Sequence, residues 1–175
     1  MLNNYFEHCI NCSYNPKNGF ISTKVVRAQT PLAVENNCSK TLLVFQAPGK
    51  DEWSQGRPIC SENSRSAAAR IRSALKRLNL NRHDFNITNA VQCLPNSAAS
   101  SRDKPPSANA QSCCLIGLKN DIELIAYTKI VVFGSIAKKS IYKLGYCKDS
   151  RFIFLRHPSG GLSNEKLDSA LKPAM

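Results

Sequence analysis

The stretch Thr41-Leu42-Leu43-Val44-Phe45-Gln46-Ala47-Pro48-Gly49 decides the architecture of this chain. Residues 41–47 are β-branched and apolar with no charge among them, the composition of a strand buried on both faces. Pro48-Gly49 stops the run abruptly, which is a turn signal. A polar, Gly/Pro-bearing loop over 48–63 then stands at the strand's C-terminal end, where α/β sheets place their ligands.

The same alternation continues outward. Residues 64–80 read as a helix, with Ala68, Ile71, Leu75 and Leu78 in one apolar stripe. Arg65, Arg70, Arg72, Lys76 and Arg77 take the other faces, and no acid falls between Glu62 and Asp84. A second strand is expected over 85–92, followed by a long Ser/Pro/Asn-rich loop over 94–109 and a helix over about 111–126. KIVVFG, 129–134, is a third buried strand closed by glycine. Residues 135–145 form a short helix with Gly145 placed as its cap, and RFIFLRH, 151–157, is a fourth strand. Residues 1–40 are polar and irregular, with one candidate strand at Ile21–Val26. No internal repeat or second domain is visible. The fold class expected is α/β: one three-layer α/β/α domain over 1–175 with a central four-stranded parallel sheet.

In such a sheet the strand ends converge. Gln46-Ala47-Pro48-Gly49 follows the first strand, Asn89 lies near the end of the second, and His157 ends the fourth. A buried Asn must be hydrogen-bonded, and its side-by-side acceptor and donors match the N3–H and O4 edge of uracil but not the N3 and amine of cytosine. A structural Asn satisfied by loop backbone is the plainer alternative. His157 precedes Pro158-Ser159-Gly160-Gly161, a tight loop that can present the ring as a donor to a developing oxyanion. A histidine at a strand end is more often structural. His8 and His83 have no comparable setting.

Charge narrows the partner. The 175 residues carry 24 Lys+Arg against 12 Asp+Glu, a net charge of +12, which points to nucleic acid. No apolar run approaches the roughly 18 residues of a membrane span, no segment reads as a basic amphipathic anchor, and MLNNYFEHCIN has no signal-peptide pattern. A monomer in a reducing cytoplasm, associated with the nucleoid of a bacterial or archaeal cell, is expected.

Eight cysteines do not make a secreted disulfide scaffold here, because a chain of this length needs no staples and their spacing is uneven. Cys9 and Cys12 form a C-x-x-C, Cys93 follows the second strand, and Cys113-Cys114 are adjacent. Four thiolates from these places suit zinc or a [4Fe–4S] cluster, and spacing alone does not choose. Cys38, Cys60 and Cys147 read as ordinary small side chains.

Together these motifs resemble the uracil-DNA glycosylase superfamily, most closely its iron–sulfur branch, family four. The branch's G-E-[AG]-P-G-x-x-E-[DE] and G-x-P-F are matched by Phe45-Gln46-Ala47-Pro48-Gly49-Lys50-Asp51-Glu52-Trp53 and Gly56-Arg57-Pro58-Ile59. T-N-x-V-K-C is matched by Thr88-Asn89-Ala90-Val91-Gln92-Cys93, the strand-closing glycine by Gly134, and H-P-S by His157-Pro158-Ser159. The resemblance runs from Cys9 to about Leu162.

It implies an enzyme that extrudes uracil from DNA and hydrolyses its bond to deoxyribose, leaving an abasic site. His157 would stabilise the uracil anion at O2, Asn89 would read the N3–H and O4 edge, and Glu52 would stand at the family's carboxylate position. Gln46 and Ala47 would line a pocket sized for one pyrimidine, with Trp53 or Ile59 as its wall. Ser159 would hold a phosphate, and Leu162 would be the wedge that enters the minor groove. Cys9, Cys12, Cys93 and Cys114 would hold a [4Fe–4S] cluster, with Cys113 one residue away and zinc the alternative group. The chain departs from the motifs at Gln46, where the branch has Glu, at Ile59, where it has an aromatic, and at Trp53, where it has an acid. A glycosylase for another damaged base and a DNA-binding protein without turnover are the competing readings.

Overall fold

The structure is a computed structural model and describes residues 9–15, 31–95 and 104–173. The candidate strand at Ile21–Val26 lies outside the described residues. The sheet has four strands, β1 (Thr41–Phe45), β2 (Asn86–Asn89), β3 (Lys129–Phe133) and β4 (Phe152–Leu155), in the order β2-β1-β3-β4, and every pairing is parallel. The helices are α1 (Lys50–Gln55), α2 (Ala67–Leu78), α3 (Ala108–Cys113), α4 (Leu115–Glu123), α5 (Ser135–Lys143) and α6 (Asn164–Leu171). The expected three-layer α/β/α architecture is therefore observed.

Alternation along the strands divides the core. Leu43, Phe45, Ile87, Val131 and Phe133 face one side, where Ala68, Ile71, Ala74 and Leu75 of α2 and Leu167, Ala170 and Leu171 of α6 cover them. Leu42, Val44, Ile130 and Val132 face the other, under Leu118 and Ile122 of α4 and Ala137 and Ile141 of α5. Because both faces are covered, the central strands are apolar at successive positions, Leu42–Phe45 and Ile130–Phe133, rather than at alternate ones.

Helix boundaries follow local chemistry. The Ser66 side chain accepts from Ala69 N–H at 3.1 Å, so α2 begins at Ala67, three residues after the start expected at 64. The single helix expected over 111–126 is two, joined at Cys114, which ends α3 and caps α4. Two short helices escape the periodicity: α1, inside the loop expected over 48–63, and α6, in a stretch assigned no element. In α1 the Glu52 carboxylate turns back to accept from Gly49 N–H at 2.5 Å. In α6, Ser163 caps the first turn through Lys166 N–H at 3.4 Å.

The segment after residue 30 ties the outer edge of β2. Glu35 and Ile87 exchange backbone hydrogen bonds of 2.8 and 3.0 Å as an antiparallel bridge, and the Asn86 side chain accepts from Asn37 and Ser39 N–H. The Glu35 carboxylate then receives Arg82 and Arg57, at 2.6 Å and 2.9 Å. Arg82 also donates to the carbonyls of Pro58 and Ile59, so one cation joins the sheet edge to the loop over 56–59.

Candidate active site

A cavity of about 460 Å³ opens at the C-terminal ends of the strands. Phe45, Gln46, Ala47 and Pro48 come to it from the end of β1, Glu52 from α1, Ile59 from the following loop, and His157 and Ser159 from beyond β4. It is wider than one pyrimidine because the α2 entry, Ser61 to Ala67, forms part of its rim. Lys50, Arg65 and Lys104 bring positive charge to the walls, and Asp51 and Glu52 bring negative.

His157 leaves β4 two residues after Leu155, so it shares the face on which Leu155 packs. Its Nδ1 lies 2.8 Å from Ser159 Oγ. When the hydroxyl donates to Nδ1, the ring proton sits on Nε2, which makes that nitrogen a donor. Burial pushes the imidazole below its ordinary value, favouring the neutral ring. The backbone accommodates the ring closely: a Cβ on Gly134 would stand 3.5 Å from His157 Cβ, and Gly134 has φ +92°, a conformation open to glycine.

Asn89 ends β2 in direct register with Phe45, hence on the same face. It is 2% exposed, and its Nδ2 has no hydrogen-bond partner, the sole buried side-chain polar atom so placed among the described residues. Leaving such a donor unpaired costs about 1–3 kcal/mol. Asn89 does not itself line the cavity; Phe45, its neighbour on β1, does.

Other expected residues are placed differently. Trp53 is 6% exposed, packed with Leu32 and Leu94 beneath α1, so it forms no wall of the cavity. An indole on the buried side of a one-and-a-half-turn helix gains more from that apolar packing than from the rim. Leu162 is 4% exposed within the α2/α6 core, and its carbonyl accepts from Arg70 at 2.6 Å, so it does not project as a wedge. Ser159, expected at a phosphate, is hydrogen-bonded to His157. Ile59 does line the cavity, in a left-handed conformation with φ +49°. That is costly for a β-branched residue, and Arg82 on the carbonyl of Ile59 helps hold it there.

Asp51, the sequence's second candidate beside Glu52 for positioning water, accepts from Ser61 Oγ at 2.5 Å, linking α1 to the α2 entry. Sequence reasoning missed another carboxylate. Asp121 of α4 is buried and accepts from Thr88 Oγ1 at 2.5 Å and Gln92 Nε2 at 2.9 Å. Burial raises its carboxyl to about 6 against these two bonds. The pair flanks Asn89 on the opposite face of the sheet and so fixes the backbone that carries it. An acid sharing the buried face of α4 with Leu118 and Ile122 was the available signal.

Beside the cavity, Cys9, Cys12, Cys93, Cys113 and Cys114 pack in one cluster, and Ala47 touches both cluster and cavity. The C-x-x-C turn closes with Cys12 N–H on Cys9 C=O at 2.9 Å, and Ser13 and Asn11 are clipped to Asn109 on α3. Burial, then the neighbouring thiols Cys12 and Cys113, raise Cys9; burial carries Cys114 up to about 12. Crowded thiols that resist ionisation are the donor chemistry that a cation would reverse. No group of three or more His, Cys, Asp or Glu side chains among the described residues is arranged to hold a single metal ion.

The family model for the uracil DNA glycosylase superfamily matches residues 33–174. The chain is also similar to a type-4 uracil-DNA glycosylase of Pyrobaculum aerophilum, with 30% identity over 103 residues, 59% of this chain and 48% of that protein. The match thus spans about half the length of that relative.

Proposed function

Because this chain belongs to the uracil DNA glycosylase superfamily, we propose that it is a DNA glycosylase that removes uracil from DNA. The observation that carries the base assignment is the buried, unpartnered Nδ2 of Asn89. That donor asks for an acceptor such as uracil O4, and an exocyclic amine set against it would leave donors facing donors.

In this reading the glycosidic bond breaks with its electrons moving into the base. Nε2–H of neutral His157 donates to O2 of the departing anion, in the arrangement that Ser159 Oγ supports. Water adds to the sugar carbon and gives up its proton to a carboxylate. Glu52, held at the cavity wall by Gly49 N–H, takes that proton in this reading, with Asp51 next to it. The proton taken from water is passed on to the departing anion, so the carboxylate is regenerated and the products are free uracil and an abasic site. Hypoxanthine, whose O6 offers the same acceptor to Asn89, is the second reading.

DNA is the partner, reached through the basic surface; no helix among the described residues is long and apolar enough to cross a membrane. The whole chain acts as a single glycosylase domain and as a monomer in the cytoplasm. Cys9, Cys12, Cys93 and Cys114 are the residues that would hold a [4Fe–4S] cluster, which supplies a structural anchor for the wall at Ala47. Duplexes carrying uracil, hypoxanthine or 5-hydroxymethyluracil, incubated with the protein and then cleaved in alkali, test the assignment. Strand breaks at uracil support it; breaks confined to another base, or none, overturn it.

A further inference from the structure

We infer that Tyr142, flanked by Lys138, Lys139 and Arg156, is a binding surface for single-stranded DNA beside the cavity. That the polyanion is DNA rests on the glycosylase reading above. The sequence concentrates cations over 64–80, but the fold spends three of them within the molecule. Arg70 donates to the Leu162 carbonyl and to Asn164, Arg72 donates to the Ser61 carbonyl, and Arg77 is paired with Asp168 at 2.6 Å. A guanidinium held in this way turns to a phosphate only by breaking bonds that tie α2 to its neighbours.

The other face of the sheet differs. Between Gly134 and His157 the chain carries six cations, Lys138, Lys139, Lys143, Lys148, Arg151 and Arg156, against one acid, Asp149. Arg151 closes on Asp149, and the other five are exposed and enter no ion pair among the described residues. Helix α5 lies over the face that carries Phe152 and Phe154. Arg156 follows Phe154 by two residues and so leaves β4 toward α5. Lys138 Nζ stands 5.2 Å from the ring centroid of Tyr142 and 5.5 Å from that of Phe154. Tyr142 is 44% exposed, the one Phe, Tyr or Trp so open among the described residues. Phe154 meets it edge to face, with centroids 5.3 Å apart and planes at 85°, which fixes its tilt. The patch borders the cavity, because Arg156 directly precedes His157 and a Cβ on Gly134, just before α5, would stand 3.5 Å from His157 Cβ.

An exposed ring among unpaired cations suits an unpaired strand, whose bases have free faces to stack and whose phosphates take the cations. A duplex stacks its bases on one another and so has no use for the ring. The test follows the fluorescence anisotropy of an oligothymidylate of about 15 nucleotides and of a uracil-free duplex of the same length. The unaltered protein should bind the single strand. Tyr142→Ala should weaken that binding about tenfold, the size of one lost stacking contact, and weaken duplex binding by less than about twofold. Tyr142→Phe keeps the ring and should bind as the unaltered protein does. Lys138→Gln and Arg156→Gln should each flatten the slope of log affinity against log salt by about 0.7 on the single strand, one phosphate contact, and Lys76→Gln on α2 should leave that slope unchanged. The inference is overturned by absence of single-strand binding in the unaltered protein, by unchanged binding in Tyr142→Ala, by equal losses on strand and duplex in that variant, or by an equal change of slope in Lys76→Gln. Neither probe contains uracil, so each of these outcomes leaves the glycosylase reading to its own assay.

Discussion

His157 and Ser159 work as a unit: the hydroxyl 2.8 Å from Nδ1 selects the ring's proton position, and burial selects its charge. His157→Ala should lower single-turnover uracil release by about 2.7–4 kcal/mol in barrier, the range for one oxyanion donor. Ser159→Ala should lower kcat about tenfold with DNA affinity unchanged, and Ser159→Thr should restore it, since threonine keeps the hydroxyl. The sign of the pH dependence follows from the lowered pKa. The ring stays neutral as pH falls through its ordinary value of about 6.5, so the acid limb of the rate profile should begin below that value. An acid limb centred above it would contradict a neutral donor. Asn89→Asp should lose uracil release, because an ionised carboxylate has no donor for O4. These two positions were legible in the sequence because each stands at a strand end, where topology sets direction. Trp53 and Leu162 were not legible: whether an apolar side chain in a loop turns to the rim or to the core depends on packing that no local pattern records.

Among the elements, the loop over 56–59 depends on a carboxylate from a segment that reads as irregular. Glu35 receives two guanidinium groups, and those hydrogen bonds with Arg82 and Arg57 hold its pKa at about 2 against the opposing effect of burial. Its folded value lies below the ordinary 4.5, so its stabilisation is complete above about pH 4.5 and is lost as pH falls toward 2. Glu35→Gln should cost about 1–3 kcal/mol in urea denaturation at pH 7, with the difference from the unaltered protein vanishing near pH 2. Asp121 has the opposite sign. Its carboxyl is raised to about 6, so its contribution is present below the ordinary 3.8 and lost as pH rises through 6. Asp121→Asn keeps an acceptor for Thr88 and Gln92 without the buried charge, and should raise stability at pH 8 by about 1–3 kcal/mol. β1 and β3 were legible because each carries an unbroken apolar run, Leu42–Phe45 and Ile130–Phe133, closed by turn residues. The break at Cys114 and the helix α1 were not, because α1 and α3 have six residues each, fewer than two turns, too few for periodicity to register.

At the scale of the whole molecule, charge sets the grip on DNA. With 24 basic against 12 acidic residues, affinity for duplex DNA should fall steeply between 50 and 200 mM salt, by roughly 10³ if about six phosphates are neutralised. An affinity flat across that range would contradict the basic surface as the source of binding. The backbone bridge between Glu35 and Ile87 has a consequence of another kind. An exposed strand margin is a template for a second chain, and polymerisation by strand addition begins there. On the β2 side that template is already occupied by the molecule's own backbone, as a cork occupies a bottle neck. Strand addition to the sheet is thereby left to the β4 margin, the other end of the strand order.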